Sequence, residues 1–297
     1  MGRSMTPRLV AALGFAALLG SSVLAKPVPI APAAVPFGIG SVRAVALRDM
    51  INRVPNDGSV FGQIEGSAAV AAVLRQAGAP TDAVSLGVDA LLVHMPGHIV
   101  LIDTGLGPKV GGVLMQSLAL AKVSPAAITD VLITHSHGDH VGGLSSVDGQ
   151  LAFPNATIHM TRAEWAFMQA QPNNAALVAT IKPKVMPFDP GAVVMPGISA
   201  VPLSGHTPGH SGYEITSNGQ KLLDMGDTAH SAIVSLAKPD WIIGYDTDGE
   251  QGRQRRMAEL ATLAASGEHV FSPHFPFPGL GQIVKAGTAY RWQPVKR

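Results

Sequence analysis

The sequence predicts an α/β domain in which strands and helices alternate in two similar halves and the chemistry lies on loops along one edge of the sheets. Three observations lead there. Short apolar runs of strand length, such as Val131-Leu132-Ile133, alternate with longer stretches of helical periodicity. The main clusters of polar residues each follow one of those runs, where a rigid scaffold presents loops for function. And 297 residues, 46% of them hydrophobic and only 14% charged, suffice for one large domain with a sizeable core. No sequence repeat relates the two halves.

Residues 1–25 carry the three-part pattern of an export signal: Arg3 and Arg8, an apolar run over residues 9–19, and Val23-Leu24-Ala25 ahead of Lys26. The apolar run is short for a bilayer span, so cleavage after Ala25 is expected, leaving a periplasmic or secreted protein with no stable membrane anchor. An uncleaved N-terminal anchor is the alternative. Cleavage removes two positive charges and no negative ones, taking the formal net charge from +1 to −1. The one basic cluster, Arg253, Arg255 and Arg256, falls on an expected helix and reads as a solvated face, so nucleic acid is not an expected partner. With no cysteine there is neither a disulfide framework nor a thiolate ligand, and any metal must be held by His and carboxylate.

Residues 26–36, with four prolines and several alanines, read as an extended Pro/Ala-rich tether, which places the folded domain over residues 37–297. A first strand is expected within residues 38–50, followed by the turn-rich Pro55-Asn56-Asp57-Gly58. Ser67 caps a helix whose Val70, Val73, Leu74 and Ala77 fall at helical spacing, closed by Gly78 and Pro80. Strands over 85–94 and 99–103 join through a turn at Pro96-Gly97. An apolar helix over 111–122 and a helical turn from Ser124-Pro125 come next. Further on, a strand over 157–160 precedes a helix capped by Thr161 that carries Glu164, Trp165 and Phe167. Residues 171–196 look irregular. A strand over 198–202 and a hairpin over 212–224, turning at Asn218-Gly219, follow. Asp248 then opens a helix with Met257, Leu260, Ala261 and Ala264 inward, and a strand from His269 leads to Pro273-His274.

The chemistry gathers around Thr134-His135-Ser136-His137-Gly138-Asp139-His140, just past the apolar run ending at Ile133. His135 and His137, two apart, can turn toward one ion, and Asp139 and His140, beyond Gly138, toward another, so a two-metal site is the natural reading. Three more candidates stand in Gly- or Pro-rich loops directly after strands: His206 in Gly205-His206-Thr207-Pro208-Gly209-His210, Asp227 after Gly226, and His274. Asp103, at the tip of an apolar strand in Asp103-Thr104-Gly105, reads either as a support for neighbouring loops or as an Asx-turn. His210 reads as a loop-structuring residue behind the ligands.

These motifs and their order, together with Leu101-Ile102-Asp103-Thr104-Gly105, resemble the metallo-β-lactamase fold superfamily of binuclear zinc hydrolases, over nearly all of the mature chain. The segments Leu151-Ala152-Phe153-Pro154-Asn155-Ala156 and His274-Phe275-Pro276-Phe277-Pro278-Gly279 resemble its methyl parathion hydrolase branch, near the N-acyl homoserine lactonases. The resemblance implies an αββα four-layer sandwich with two Zn2+ per chain. It puts His135, His137 and His206 on one ion, Asp139, His140 and His274 on the other, and Asp227 between them. Relatives that bind redox iron carry Glu at the position of His137, and true β-lactamases generally lack the bridging Asp. Lactonases of this kind often carry Tyr three residues after the bridging Asp, where this chain has His230.

His230 is therefore read either as a contact to substrate, donating to a developing oxyanion, or as a plain loop residue. Asp139 is read as a proton carrier as well as a ligand. Phe275 and Phe277 are read as walls of an apolar substrate pocket or as core. The expectation is an exported zinc hydrolase of a small ester-like substrate: a lactone, carboxyl ester or phosphotriester. A β-lactamase, or a non-catalytic zinc-binding protein on the same fold, is the alternative.

Overall fold

The computed structural model describes residues 26–28 and 30–296. The expected leader lies outside the described residues. Two sheets lie face to face. The first contains β1 (Lys26–Val28), β2 (Ala34–Ile39), β3 (Val42–Pro55), β4 (Ala83–Met95), β5 (His98–Ile102), β6 (Asp130–Leu132), β7 (Thr157–Thr161) and β8 (Val185–Phe188). Its order is β1-β3-β4-β5-β6-β7-β8, with β2 also paired to β3. The second contains β9 (Val193–Met195), β10 (Ile198–Pro202), β11 (Ser211–Ser217), β12 (Gln220–Asp224), β13 (His269–Phe271), β14 (Leu280–Ala286) and β15 (Ala289–Pro294), in the order β15-β14-β13-β12-β11-β10-β9. The pairs from β5 through β8 and the pair β12/β13 are parallel, and the rest are antiparallel.

The apolar residues sort by face. Alternate residues of β4 go to opposite sides, as the two-residue period of a strand requires. Ala90 and Leu92 join the layer of α2 (Leu114–Leu120), α4 (Arg162–Ala170) and α5 (Ala175–Ile181), while Leu91 and Val93 enter the layer between the sheets with Ile198, Tyr213, Ile215 and Phe271. On the far side, Leu260 and Leu263 of α7 (Gly249–Ser266) pack with Val270, Phe275 and Ile283. A fourth cluster, around α1 (Ser67–Gln76), joins Val60, Phe61, Val70 and Leu74 to Val234 and Ile243. The result is the helix-sheet-sheet-helix sandwich of the metallo-β-lactamase type. No helix among the described residues is long and apolar enough to cross a membrane.

Several local expectations are corrected. Residues 26–36 are not simply a tether: Lys26 pairs opposite Arg53 and Ala34 opposite Leu47. Pro27 and Pro36 are tolerated there because both strands pair only with β3, and an edge strand needs no ladder donor on its outer side. The single strand expected within 38–50 is a hairpin, because Gly40 (φ 56°) turns the chain between β2 and β3. The helix expected over 111–122 is limited to α2, since Gly111 lies in the left-handed region at φ 88°. Residues 171–196 are ordered as α5, β8 and β9 with short 3-10 turns. On α7 the inward positions are Gly252, Arg256, Leu260 and Leu263, so Met257 and Ala261 face out, and Arg256 is buried rather than solvated.

Candidate metal centre

All of the candidate ligands stand on loops that leave the same end of the two sheets. The loop after β6 carries His135 and His137 and enters the short helix α3 (Gly138–Val141), which presents Asp139 and His140. Its root is pinned from the other sheet, where the buried Tyr213 hydroxyl donates to the Ile133 carbonyl at 2.7 Å. The loop between β10 and β11 supplies His206, and the turn Gly226–Thr228 after β12 supplies Asp227. The turn after β13 supplies His274.

Three overlapping donor groups form, one of them Asp227, His230 and His274. His135 Nε2, His137 Nδ1 and His206 Nε2 lie 2.8 to 3.1 Å apart, and Asp227 completes a group in which all four ligand atoms are within 4.8 Å. Asp139, His140 and His274 form the second group. Asp227 reaches both: Oδ2 lies 3.2 Å from His206 Nε2, and Oδ1 lies 3.2 Å from His140 Nε2 and 3.0 Å from His274 Nε2. His230 joins the same space, with Nε2 3.1 Å from Asp227 Oδ2 and its ring stacked on His274 at 5.4 Å.

The ligand atoms are aimed by what holds the other side of each ring. His206 Nδ1 faces Asp246 Oδ1 at 3.0 Å, His140 Nδ1 faces Asp103 Oδ2 at 2.7 Å, and His274 Nδ1 faces the Gly87 carbonyl at 2.6 Å. Each pairing favours a proton on the outer nitrogen, which leaves the inner Nε2 with a lone pair for a cation. Asp103 also accepts from the Thr134 N–H and hydroxyl, so it braces the ligand loop. His210 accepts the Asp227 N–H on Nε2 at 3.0 Å, and its Nδ1 faces the Leu203 carbonyl at 2.9 Å. Both residues thus hold ligands from behind.

The donor set fits a metal on a further ground. His140 Nε2, Asp227 Oδ1 and both ring nitrogens of His230 are buried without a hydrogen-bond partner. Buried polar atoms are almost always satisfied, so the orphaned His140 Nε2 and Asp227 Oδ1, 3.2 Å apart, mark where a cation belongs. The charges around Asp227 divide between the rings. Burial opposes ionisation of Asp227, but His140 and His274 hold its carboxyl well below the usual range. Burial and the neighbouring His206 lower His137 to about 3, which keeps its lone pair free. His206 goes the other way: burial works against a charge, yet the Asp227 and Asp246 carboxylates prevail and lift it to about 9, so a metal ion must displace the proton on Nε2 to bind there. His230 is lowered, mainly by burial, which favours its neutral form.

The structure brings together Asp103, His135, His137, Asp139, His140, His206, His210, Asp227, His230 and His274. It does not put Phe275 in a pocket: the ring is wholly buried in the core beside Trp292, 4.9 Å between centroids. Phe277 is half-buried, packed on the layer between the sheets with the Arg48 guanidinium 4.3 Å over its ring. Three residues at the centre escape a reading of the sequence. Glu164, wholly buried, accepts from the Ser136 N–H and hydroxyl with one oxygen and from the Thr207 hydroxyl and Gly209 N–H with the other. It ties the His135 loop to the His206 loop. Asp246 and Arg256 are the others. Thr161-x-x-Glu164 signals a capping box, and Thr161 does cap α4, but nothing in the sequence points the Glu164 carboxylate away from that cap.

The description Metallo-beta-lactamase superfamily belongs to the family whose pattern matches residues 85–270. Among curated proteins, the chain is 27% identical over 187 residues to the uncharacterized protein YobT of Bacillus subtilis, covering 60% of this chain and 78% of that one. Among solved structures, it superposes on AidC, a dizinc quorum-quenching lactonase in complex with a product, N-hexanoyl-L-homoserine. That match has a TM-score of 0.85 and 26% identity, over 90% of this chain and 98% of that one. It also superposes on the hydrolase AbOPH of the beta lactamase superfamily, with a TM-score of 0.82 and 27% identity, over 90% and 99%.

Proposed function

The chain belongs to the metallo-beta-lactamase superfamily, and from that premise we propose that it is an exported hydrolase that holds two zinc ions and opens a small ester-like substrate, with a lactone favoured. One observation carries the reading. Asp227 turns one carboxylate oxygen toward His206 and the other toward His140, so a single side chain serves both donor groups. A protein that only sequesters zinc has no need of that sharing, whereas two ions held side by side can act on one substrate. Imidazoles with few carboxylates and no thiolate suit zinc. Among ester-like substrates, the likeness to a dizinc lactonase over 90% of the chain supports a lactone.

Two bound zinc ions would supply Lewis acidity and lower the pKa of a water toward neutrality. The chain's own residues do the rest. His135, His137 and His206 would hold one ion, Asp139, His140 and His274 the other, and Asp227 both. The Asp139 side chain, 23% exposed, is the least buried of the carboxylates here and can pass a proton to the leaving oxygen. Neutral His230 can donate one ring N–H to the oxygen on which negative charge develops.

The test is to assay the zinc-loaded protein against an N-acyl homoserine lactone, an aryl ester, a phosphotriester and a β-lactam, beside Asp227→Ala. The lactone should be turned over fastest. Asp227→Ala should lose one or both metals by elemental analysis, with activity down by orders of magnitude. Turnover of the β-lactam alone, or full activity and metal content in Asp227→Ala, would sink the proposal.

A further inference from the structure

A wholly buried arginine is rare unless its charge is matched, and Arg256 on α7 is only 1% exposed. Its Nε donates to the Pro239 carbonyl at 3.0 Å and an Nη to the Trp241 carbonyl, so it grips the segment that leads to residue 246. Its other Nη stands 3.5 Å from Asp246 Oδ2. The Asp246 side chain is also buried and turns its second oxygen to His206 Nδ1 at 3.0 Å. The chain immediately after Asp246 is bonded to the same ligand loop: Thr247 N–H donates to the His206 carbonyl at 2.8 Å and Asp248 N–H to the Gly205 carbonyl at 3.0 Å. The fit is close. A Cβ on Gly252 would lie 2.5 Å from Asp246 Oδ2, and one on Gly205 would lie 2.4 Å from the Gly252 nitrogen.

We propose that Arg256 and Asp246 are a positioning pair for His206. Arg256 fixes the Asp246 carboxylate, and Asp246 keeps the His206 proton on Nδ1, so that Nε2 faces the ion. The inference rests on the two-zinc reading above. A carboxylate is required because two donors claim Asp246, the Arg256 guanidinium and the His206 N–H, and each takes one oxygen. An asparagine has one acceptor. If its oxygen stays with Arg256, its NH2 faces His206 Nδ1 and drives the ring proton to Nε2, into the ligand position.

The experiment measures zinc affinity by chelator competition, zinc per chain, and the melting temperature of the metal-free protein. It uses wild type, Asp246→Asn, Arg256→Met and the double variant. Asp246→Asn should weaken one of the two zinc ions about 10- to 100-fold, the usual cost of removing a partner behind a metal ligand, and leave the other unchanged. Arg256→Met should lower the melting temperature and also weaken the same ion. In the Asp246→Asn background the added Arg256→Met change should cause no further loss of zinc affinity, because its effect runs through Asp246, and it restores part of the affinity where the freed asparagine turns its oxygen to His206 Nδ1. A purely structural role would lower the melting temperature of both single variants with both affinities intact, and that result overturns the proposal. So does an additive loss of affinity in the double variant. If Arg256→Met does not fold, Arg256→Lys replaces it, with the same outcomes. Wild-type protein that binds no zinc fails the two-zinc reading itself, and it is told apart because no variant is then needed to see it.

Discussion

Asp89 is buried on β4 with neither carboxylate oxygen hydrogen-bonded, next to the main chain that leads into His274. Burial pushes its carboxyl well above the usual carboxylate range; the Arg48 charge opposes the shift and Asp49 adds to it. The folded state therefore holds this proton after the unfolded chain has released its own, and folding loses stability as pH rises above about 4. Asp89→Asn removes the titration. It should melt at the same temperature as wild type near pH 4 and measurably higher at pH 7.5. A gap that shrinks with rising pH would show that the carboxylate is matched after all. His230 is tested on the zinc-loaded enzyme. His230→Phe keeps a flat ring and removes the donor, so kcat on the best substrate should drop about 10²- to 10³-fold with little change in KM. An unchanged kcat with both zinc ions present would reduce His230 to packing.

At the scale of elements, α4 and α7 act as braces across the ligand loops. Glu164 is the clearest case, because one side chain collects four donors from two loops. Glu164→Gln keeps one acceptor oxygen and turns an NH2 toward donors, which should cost about 2–3 kcal/mol and lower the melting temperature of the metal-free protein by about 5–10 °C. A variant that melts with wild type would mean that the clamp contributes nothing to stability. The sequence made the ligands legible because four of the seven lie within residues 135–140, and the others follow strands in Gly- or Pro-rich loops. The braces were not legible. Glu164 obeys a helix-capping pattern, and Arg256 sits in a run of arginines, so local rules place both at the surface. What buries them is contact with segments some 30 or 40 residues away in the case of Glu164, and 10 to 17 in the case of Arg256. Helix α7 shows the same limit in register: periodicity found Leu260, but Gly252 and Arg256 fix the inward face one residue from Met257 and Ala261.

For the whole molecule, the alternation of strands and helices fixed the class, and the strand-tip motifs indicated the edge where chemistry gathers. The prolines of residues 26–36 concealed β1 and the start of β2, since composition carries no information about which edge is free to accept them. Export is a proposal about residues 1–25: the intact mass of protein from the periplasmic fraction should begin at Lys26 or within a few residues. Full-length chain in the inner membrane would contradict it.

The donors are divided between the two sheets and lie far apart along the chain. His206 lies 71 residues beyond His135, and His274 another 47 beyond Asp227, so no contiguous fragment of the chain holds a complete set until both sheets have docked. A folding intermediate with only the first sheet would offer His135, His137, Asp139 and His140 but neither His206 and His274 nor the bridging carboxylate. If docking of the sheets limits folding, zinc arrives after that step and acts as a latch on the finished sandwich. Loading should slow unfolding, in proportion to the stability that it adds, and leave the folding rate almost unchanged.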